Sequence, residues 1–372
     1  MTPVPLDLPL RPPEAAELAN LVFSLAERKP LNEEVRNRIA SRLAAFHFES
    51  LRPYPLSLER DPVHHSTYYM ALDGQDGEPL LLHMAPAAAP TSAIFAKPLL
   101  IGRMRRAAGP EMVLNAVLFG PSNHEAVSRF AGQIDDSFLP RAQASRAAIV
   151  APAVPASFEA FRSVWKSTRR NLAAVEMSAA DADPAAFYFA AIWSAIRAGW
   201  REGYTAGISI PVATTDPHCA RQTIAEAAPL TRFAIDVSAL VTGSSDPAVK
   251  FAEAIKAAAR AHELIRQARA ARKLTRPFDF ELSFEHTASP TSAEELSFCL
   301  ASLRDCGHAA QLAAPQIDAS SDLPALAAAA QSAQCVFTLK SATAIDRALA
   351  SRLNLRLPAE ASITETAAEL FG

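Results

Sequence analysis

Four polar side chains that could transfer protons or hold a charged group follow short apolar segments of the chain. Glu285 and His286 are neighbours, Asp236 precedes them, and Lys340 follows them. Carboxylates and imidazoles serve as general acids and bases, and an ammonium can hold a carboxylate or polarise a carbonyl. These residue types predict proton abstraction next to a carbonyl group, provided that the fold brings them together.

The segment Phe278–Thr291 indicates how such side chains are positioned. Up to Glu285, large apolar side chains alternate with acidic side chains and a serine, so that a strand would have one apolar and one acidic face. Because helical patterns flank this strand on both sides, it favours a covered parallel sheet. The acidic face must then point into a barrel interior or a site. Glu281, lower in the strand, is expected to be structural, and His286 can reach the ligand of Glu285 only if the strand ends there.

Residues 111–372 alternate between short apolar segments and helical patterns, which predicts eight strand–helix units. This number and length favour a (β/α)8 TIM-like barrel, with a doubly wound open sheet as the alternative. Residues 1–110 predict a small α+β accessory region with two amphipathic helices and a hairpin. The apolar segments of the eight units centre near Asn115, Ala148, Ala174, Ser209, Ile235, Leu282, Leu312 and Thr338.

In a parallel barrel, the side chains that do chemistry follow the carboxyl ends of the strands. We therefore expect Glu285, His286 and Asp236 to be catalytic residues. Three further side chains at strand ends are expected to bind the substrate, and they are Lys340, Glu176 and Gln316.

Composition excludes several classes of protein. The formal net charge of −3 gives no electrostatic reason to expect nucleic acid, and neither glycine-rich nucleotide-binding motif occurs. The four cysteines are far apart, which is typical of reduced thiols. The sequence shows no signal peptide and no segment of membrane-spanning length, so a cytoplasmic protein that does not bind membranes is expected. The oligomeric state is left open.

The same residues carry a resemblance to a known family. From about Trp200 to Ala344 the chain resembles the metal-dependent tagaturonate/fructuronate epimerases, which are built on a barrel and invert a carbon of a keto-hexuronate. Phe278–Thr291 is similar to the family's strand F-x-x-E-[VL]-S-x-D-E-T-x-[TS]-P-T, Phe233–Ser238 to its F-T-I-D-V-A segment, and Ala310–Pro315 to a stretch that ends in A-P. The resemblance implies a barrel and a sugar-acid ligand.

The chain departs from the family where the chemistry should lie. The family's D-E-T is Glu285-His286-Thr287 here, and its H-S-G-S-D-K aligns with the segment from Lys340 to Ile345. Its A-D-H motif aligns with residues 206–210, which contain neither acid nor histidine, and the basic residue after A-P is Gln316. The metal site that the resemblance implies is therefore expected to be lost, with no cofactor retained.

The lysine suggests a physical replacement for the metal. Converging carboxylates repel each other and raise each other's pKa unless a cation neutralises them. Lys340 is predicted to be this built-in counter-ion for Glu285 and Asp236. A divalent metal remains the alternative if another histidine, such as His124 or His218, restores the site.

These observations leave three alternative functions. The leading one is a catalytically degenerate epimerase-like barrel, a pseudoenzyme that binds a sugar acid or a partner without metal-dependent turnover. The alternative is an active epimerase or isomerase of a keto-hexuronate or related sugar acid with a rebuilt site. The third makes the N-terminal region an interaction module, and it would gain from an exposed apolar stripe on the helix at 14–28.

Overall fold

The computed structural model describes residues 10–26, 31–88, 94–105, 110–143, 148–152, 155–168, 174–178, 183–212, 217–340, 347–358 and 362–371. The chain forms two compact units. The first comprises Met1–Leu139 and Ala195–Arg201, and the second comprises Pro140–Ser194 and Glu202–Gly372.

The first unit is built on an antiparallel sheet of six strands, in the order β1-β3-β4-β6-β5 with β2 beside β3. Its strands are β1 (Arg52–Pro53), β2 (Glu59–Arg60), β3 (Tyr68–Asp73), β4 (Pro79–Pro86), β5 (Leu99–Met104) and β6 (Met112–Leu118). Its helices are α1 (Pro12–Ala26), α2 (Glu33–Leu43) and α3 (His124–Ile134). The predicted hairpin is the pair β3–β4, and the two predicted amphipathic helices are α1 and α2.

The apolar stripe of α1 is buried in the core of this unit. Leu18, Val22 and Phe23 pack with α2 and with apolar side chains of the sheet. An apolar stripe that already has an intramolecular partner is not an exposed docking face. This packing removes the observation that would have favoured an N-terminal interaction module.

Two expectations about this region are wrong. The apolar segment around Asn115 was expected to be the first barrel strand, but it is β6, which pairs antiparallel with β4. The boundary expected at residue 110 moves accordingly, because the first unit extends to Leu139. A continuous apolar run fits a buried strand of either kind of sheet, so its periodicity did not distinguish them.

The second unit contains eight parallel strands that pair side by side and close into a ring. The strands are β7 (Ile149–Pro152), β8 (Ala174–Ser178), β9 (Thr205–Pro211), β10 (Arg232–Asp236), β11 (Asp279–Phe284), β12 (Leu312–Pro315), β13 (Val336–Leu339) and β14 (Leu353–Arg356). The mixed α/β class, with a parallel barrel-type sheet and an antiparallel N-terminal region, is confirmed. The strand that sequence reasoning missed is β14, which follows the last predicted helix.

Helices follow each of these strands along the chain. They are α4 (Pro155–Thr168), α5 (Pro184–Ala198), α6 (Pro217–Glu226), α7 (Pro247–Lys250), α8 (Ala252–Ala271), α9 (Ala293–Asp305), α10 (Leu323–Ser332), α11 (Arg347–Ala350) and α12 (Ile363–Phe371). Among the described residues, every helix is too short or too polar to cross a bilayer.

Strand β11 shows why the sequence folds in this way. Its apolar side chains point outward, where Phe280 contacts His262 of α8 and Phe284 contacts Phe251 at the start of the same helix. Its polar side chains belong to the opposite face, which lines the barrel interior. Register continues this polar row across the sheet, since Asp279 pairs with Arg232 of β10 and Ser283 pairs with Asp236.

Candidate functional site

Polar and charged side chains from three barrel strands meet at the carboxyl ends of those strands. We call Asp236, Glu285, His286 and Lys340 the mouth cluster. Asp236 ends β10, Glu285 and His286 follow β11 directly, and Lys340 follows β13. The strand β11 ends at Phe284, so the two neighbours lie in a turn and both reach the same cluster, as the sequence required.

Below the mouth cluster lies an ion-pair network centred on a fully buried glutamate, which we call the clamp. It consists of Arg232, Glu281 and Arg356. Arg232 donates to one carboxylate oxygen of Glu281, and Arg356 donates to the other. The hydroxyl of Thr338 donates to Glu281 Oε2 at 3.3 Å. Glu281 is therefore held from β10, β13 and β14 at once, in agreement with the structural role expected for it.

A glycine makes room for the clamp. Gly207 of β9 is the register partner of Arg232, and a Cβ built on it would lie 2.9 Å from the Cβ of that arginine. Such a distance is shorter than ordinary van der Waals contact, so a larger residue would force the arginine to move. The absence of a side chain at Gly207 therefore gives the guanidinium its place in the barrel interior.

The clamp determines the charge state of Glu281. Its side chain is 0% exposed, and burial alone would raise its pKa. The positive charges of Arg232 and Arg356 and their hydrogen bonds outweigh burial, so that the pKa of Glu281 lies below its ordinary value. This carboxylate stays ionised and has little capacity to exchange protons at neutral pH.

Glu285 stands in a different environment. Its side chain is 7% exposed, and its Oε2 accepts from Arg356 Nη1 at 2.8 Å and lies 3.3 Å from Lys340 Nζ. Burial raises the pKa of Glu285, and the nearby charge of Glu281 adds to this, while Arg356 and Lys340 oppose it; the net result is a raised pKa. A raised carboxyl pKa is suited to a general acid or base.

The hydrogen bonds of His286 define its tautomer. Its Nε2 lies 3.0 Å from Lys340 Nζ, and its Nδ1 lies 2.9 Å from Asp236 Oδ2. An ammonium only donates and a carboxylate only accepts, so Nε2 must accept and Nδ1 must carry the hydrogen. His286 is therefore the neutral Nδ1–H tautomer in this arrangement.

Asp236 is anchored by the turn that follows its strand. Ser238 donates to Asp236 Oδ1 from its backbone nitrogen at 3.0 Å and from its hydroxyl at 2.5 Å. The same hydroxyl accepts the backbone N–H of His286 at 3.0 Å, which joins the ends of β10 and β11. The contact between Asp236 and Lys340 runs through His286. The predicted direct pairing of Lys340 with both acids is thus seen for Glu285 alone among the described contacts.

The other candidate residues lie elsewhere. Gln316 follows β12, where its backbone carbonyl accepts from Thr291 and its side chain donates to the Ile317 carbonyl at 3.3 Å. Glu176 lies on β8 in register with Gly207, and its side chain is outside the described residues. Neither is tied by a described contact to the mouth cluster.

The two histidines considered as replacement metal ligands, His124 and His218, lie on different helices. His124 begins α3 in the first unit, where burial lowers its pKa and its ring packs on Phe119. It does not follow a barrel strand, which was the reason for considering it. His218 lies on α6, and its side chain is outside the described residues.

Sequence reasoning missed the two arginines of the clamp. Arg232 was noticed only as part of the strand pattern, and Arg356 was not assigned to a strand. The alternation of side chains along each strand could have indicated both arginines. Arg232 lies on the same inward face of β10 as Asp236. Arg356 lies on the same face of β14 as Asn354, whose register partner is Thr338.

Within the described residues, the donor atoms of the mouth cluster do not converge as the ligands of a divalent cation would. A metal centre needs three or four carboxylate or imidazole donors that converge on one point. Across the parts of the chain that the structure describes, no three histidine, cysteine, aspartate or glutamate side chains converge in this way. The Lys340 ammonium contacts both Glu285 and His286 instead.

This architecture has counterparts among solved structures. No family model matches the chain, and no curated protein sequence matches it. Among solved structures, the chain is similar to a glycerol-bound fructuronate-tagaturonate epimerase UxaE from Cohnella laeviribosi, with a TM-score of 0.60 and 13% identity over 86% of this chain and 74% of that chain. It is similar to the native structure of the same enzyme with a TM-score of 0.56 and 15% identity, over 87% and 75% of the two chains.

The resemblance predicted from the sequence is thus confirmed as a structural one. At this level of identity the likeness establishes a shared fold. The chain has the fold of the fructuronate-tagaturonate epimerase UxaE.

Proposed function

We propose that the second unit is a complete (β/α)8 barrel of the epimerase type that binds a sugar acid at its mouth without metal-dependent turnover. One observation carries the proposal: the ammonium of Lys340 lies within 3.3 Å of Glu285 Oε2 and 3.0 Å of His286 Nε2. An ammonium in contact with these donors supplies the positive charge that a divalent cation would otherwise supply.

The balance of charge at the site supports this reading. Three carboxylates belong to the clamp and the mouth cluster, and three permanent cations accompany them. The carboxylates are Asp236, Glu281 and Glu285, and the cations are Arg232, Lys340 and Arg356. With neutral His286 the set has no net charge, so it is balanced without a further ion.

The exposed part of the mouth cluster supplies the ligand contacts. The side chains of Lys340 and His286 are 48% and 60% exposed, and an ammonium is a suitable partner for a sugar-acid carboxylate. The hydroxyl of Ser283, buried in the row between Glu281 and Glu285, has no protein partner among the described residues and needs water or a ligand hydroxyl. Glu176 and Gln316 are further proposed ligand contacts.

A second candidate function rests on the raised pKa of Glu285. In an active epimerase or isomerase of a sugar acid, Glu285 would remove the proton next to the carbonyl, and Lys340 would stabilise the enolate. His286 and Asp236 would form the second proton-transferring pair, since they are already hydrogen-bonded. This function uses the same side chains and differs from the first only in turnover.

The two free cysteines that are buried, Cys299 and Cys335, and the exposed Cys306 are consistent with the reducing compartment that we propose, the cytoplasm.

The test combines elemental metal analysis with turnover and binding. Purified protein is incubated with manganese, zinc or nickel, freed of excess metal, and assayed for tagaturonate epimerisation and tagaturonate binding. We expect no stoichiometric metal, no turnover, and binding that Lys340→Met abolishes. Turnover without metal, seen as solvent deuterium in recovered tagaturonate, would establish the second candidate. Stoichiometric metal that supports turnover would overturn both assignments of Lys340.

A further inference from the structure

The contact between Lys340 and Glu285 has a consequence for how an anionic ligand enters. Both Arg356 and Lys340 contact the same oxygen of Glu285, Oε2. A ligand carboxylate that pairs with the Lys340 ammonium must therefore lie beside the Glu285 carboxylate. Two ionised carboxylates on one ammonium repel each other, and such pairs relieve the repulsion by sharing one proton.

We propose that a ligand carboxylate binds at Lys340 as a proton-sharing pair with Glu285, so that one proton enters the site with each ligand. This inference rests on the proposed sugar-acid function and specifies its chemistry. The site would select ligands that carry one carboxylate, and it would take them up together with a proton. Neutral sugars would bind weakly and without a proton.

The surroundings of Glu285 assign the proton to that residue. Arg356 from β14 and Lys340 after β13 face it directly, and Glu281 lies below it on β11. Glu281 is already held by two guanidinium groups, which keep its pKa low, so it is a poor proton acceptor. Glu285 already has a raised pKa before any ligand arrives. A further negative charge can only raise it more.

The remaining titratable groups that the structure describes beside the mouth cluster contact His286 or belong to the clamp. Asp236 from β10 accepts from His286 Nδ1, and Arg232 from β10 reaches only the clamp among the described contacts. A proton on His286 Nε2 would replace its acceptor contact with Lys340 by a repulsive one. His286 is therefore the weaker of the two candidate proton acceptors at the mouth.

The sign of the pH dependence follows from this assignment. At a pH above the pKa of Glu285 the free site lacks the proton, and the bound site holds it. Lower pH then favours the bound state, until Glu285 of the free protein is itself protonated. The affinity for tagaturonate should rise by up to about tenfold per pH unit as the pH falls from about 8 to about 6, a range in which the ligand carboxyl stays ionised.

Calorimetry measures the proton directly. Tagaturonate is titrated into the full chain at one pH in phosphate and in Tris, whose different ionisation enthalpies reveal the number of protons taken up. The matched neutral ligand is tagatose. We expect about one proton per tagaturonate and none with tagatose. Binding of tagaturonate with no proton uptake would overturn the inference and leave the proposed function intact, whereas failure of tagaturonate to bind would overturn both.

Two variants locate the proton. Glu285→Gln imitates the protonated carboxyl, so it should bind tagaturonate with no proton uptake and with an affinity that is independent of pH. His286→Gln should weaken binding and keep the uptake near one proton. If His286→Gln lost the proton uptake and Glu285→Gln retained it, the proton would belong to the histidine and the inference would be refuted. The pH series on the unaltered protein tests the proton uptake itself without relying on the folding of a variant.

Discussion

Two glutamates four residues apart, one in β11 and one in the turn that follows it, have pKa values shifted in opposite directions. Glu281, in the clamp, is held by two guanidinium groups and has a lowered pKa. Glu285, in the mouth cluster, also has two cationic neighbours but has a raised pKa. Both carboxylates are buried, so burial does not distinguish them.

The difference lies in the partners. Glu281 receives a hydrogen bond from an arginine on each of its two oxygens, and a further bond from Thr338. Both cations that contact Glu285 share one oxygen, and one of them is a half-exposed lysine. Exposed ammonium groups are screened by water and stabilise a carboxylate less than a buried guanidinium does. The fold thus builds one structural and one titratable carboxyl on the same strand.

The largest expected effect breaks the clamp. Glu281→Gln removes the only carboxylate between Arg232 and Arg356 in the described structure and leaves a buried arginine without its counter-charge. Loss of one partner of a buried ion pair costs about 3 to 5 kcal/mol of unfolding free energy. Urea denaturation followed by circular dichroism measures this loss.

The matched control is Glu285→Gln, the same chemical change at the mouth. We expect its unfolding free energy at pH 7 to lie within about 1 kcal/mol of the unaltered protein, because a raised pKa means that the fold does not stabilise the ionised carboxylate relative to the unfolded chain. Equal loss of unfolding free energy in the two variants would contradict the distinction between a structural carboxylate at Glu281 and a titratable one at Glu285.

The pH dependence of stability sharpens the comparison. Because the folded pKa of Glu285 is raised, the stability that it contributes is present at low pH and is lost as the pH rises through the folded pKa. Glu285→Gln keeps its neutral amide, so its stability relative to the unaltered protein should increase with pH above about 4 and then level off. Thermal denaturation of both proteins between pH 4 and pH 8 measures the trend.

Glu281 should show the opposite sign. Its folded pKa is lowered, so its contribution is present above the unfolded pKa and is lost as the pH falls through the folded pKa. The stability deficit of Glu281→Gln should therefore shrink in acid. A deficit in Glu281→Gln that grows in acid would contradict the lowered pKa.

The smallest expected effect is that of Lys340→Met. Its side chain is half exposed, so loss of the ion pair should cost at most about 1 kcal/mol of unfolding free energy. The pKa of Glu285 should nevertheless rise further, because one of its two cations is gone. Carbon-detected NMR titration of the glutamate carboxyl groups measures this pKa.

Lys256→Met on α8 is the matched control, since Lys256 pairs with Glu253 on the exposed surface. It should leave the titration of Glu285 unchanged. If Lys340→Met changed neither stability nor that titration, Lys340 would not be the counter-ion that we propose.

Sequence reasoning found the strands whose pattern was strong and the residues that follow them. The alternation of Phe280, Leu282 and Phe284 with acidic side chains identified β11 and the turn that carries Glu285 and His286. The rule that chemistry follows the carboxyl ends of parallel strands then brought in Asp236 and Lys340, which do meet these two residues.

The clamp could not be found in the same way. Strand β14 has four residues, too few for an alternating pattern to stand out from the end of the predicted helix before it. Arg356 reaches Glu281 and Glu285 because β14 closes the ring between β13 and β7. Such a contact depends on closure of the barrel, which local pattern does not encode.

Closure of the barrel by β14 comes late in the synthesis of the chain. A ribosome releases β11 long before β14, so both glutamates emerge ahead of the arginine that joins them. Until β14 inserts, Glu281 and Glu285 lack one shared cation, and a partly closed barrel carries uncompensated negative charge in its interior. Because Arg356 is synthesised last, the ion pairs of Glu281 and Glu285 are complete only once the barrel has closed.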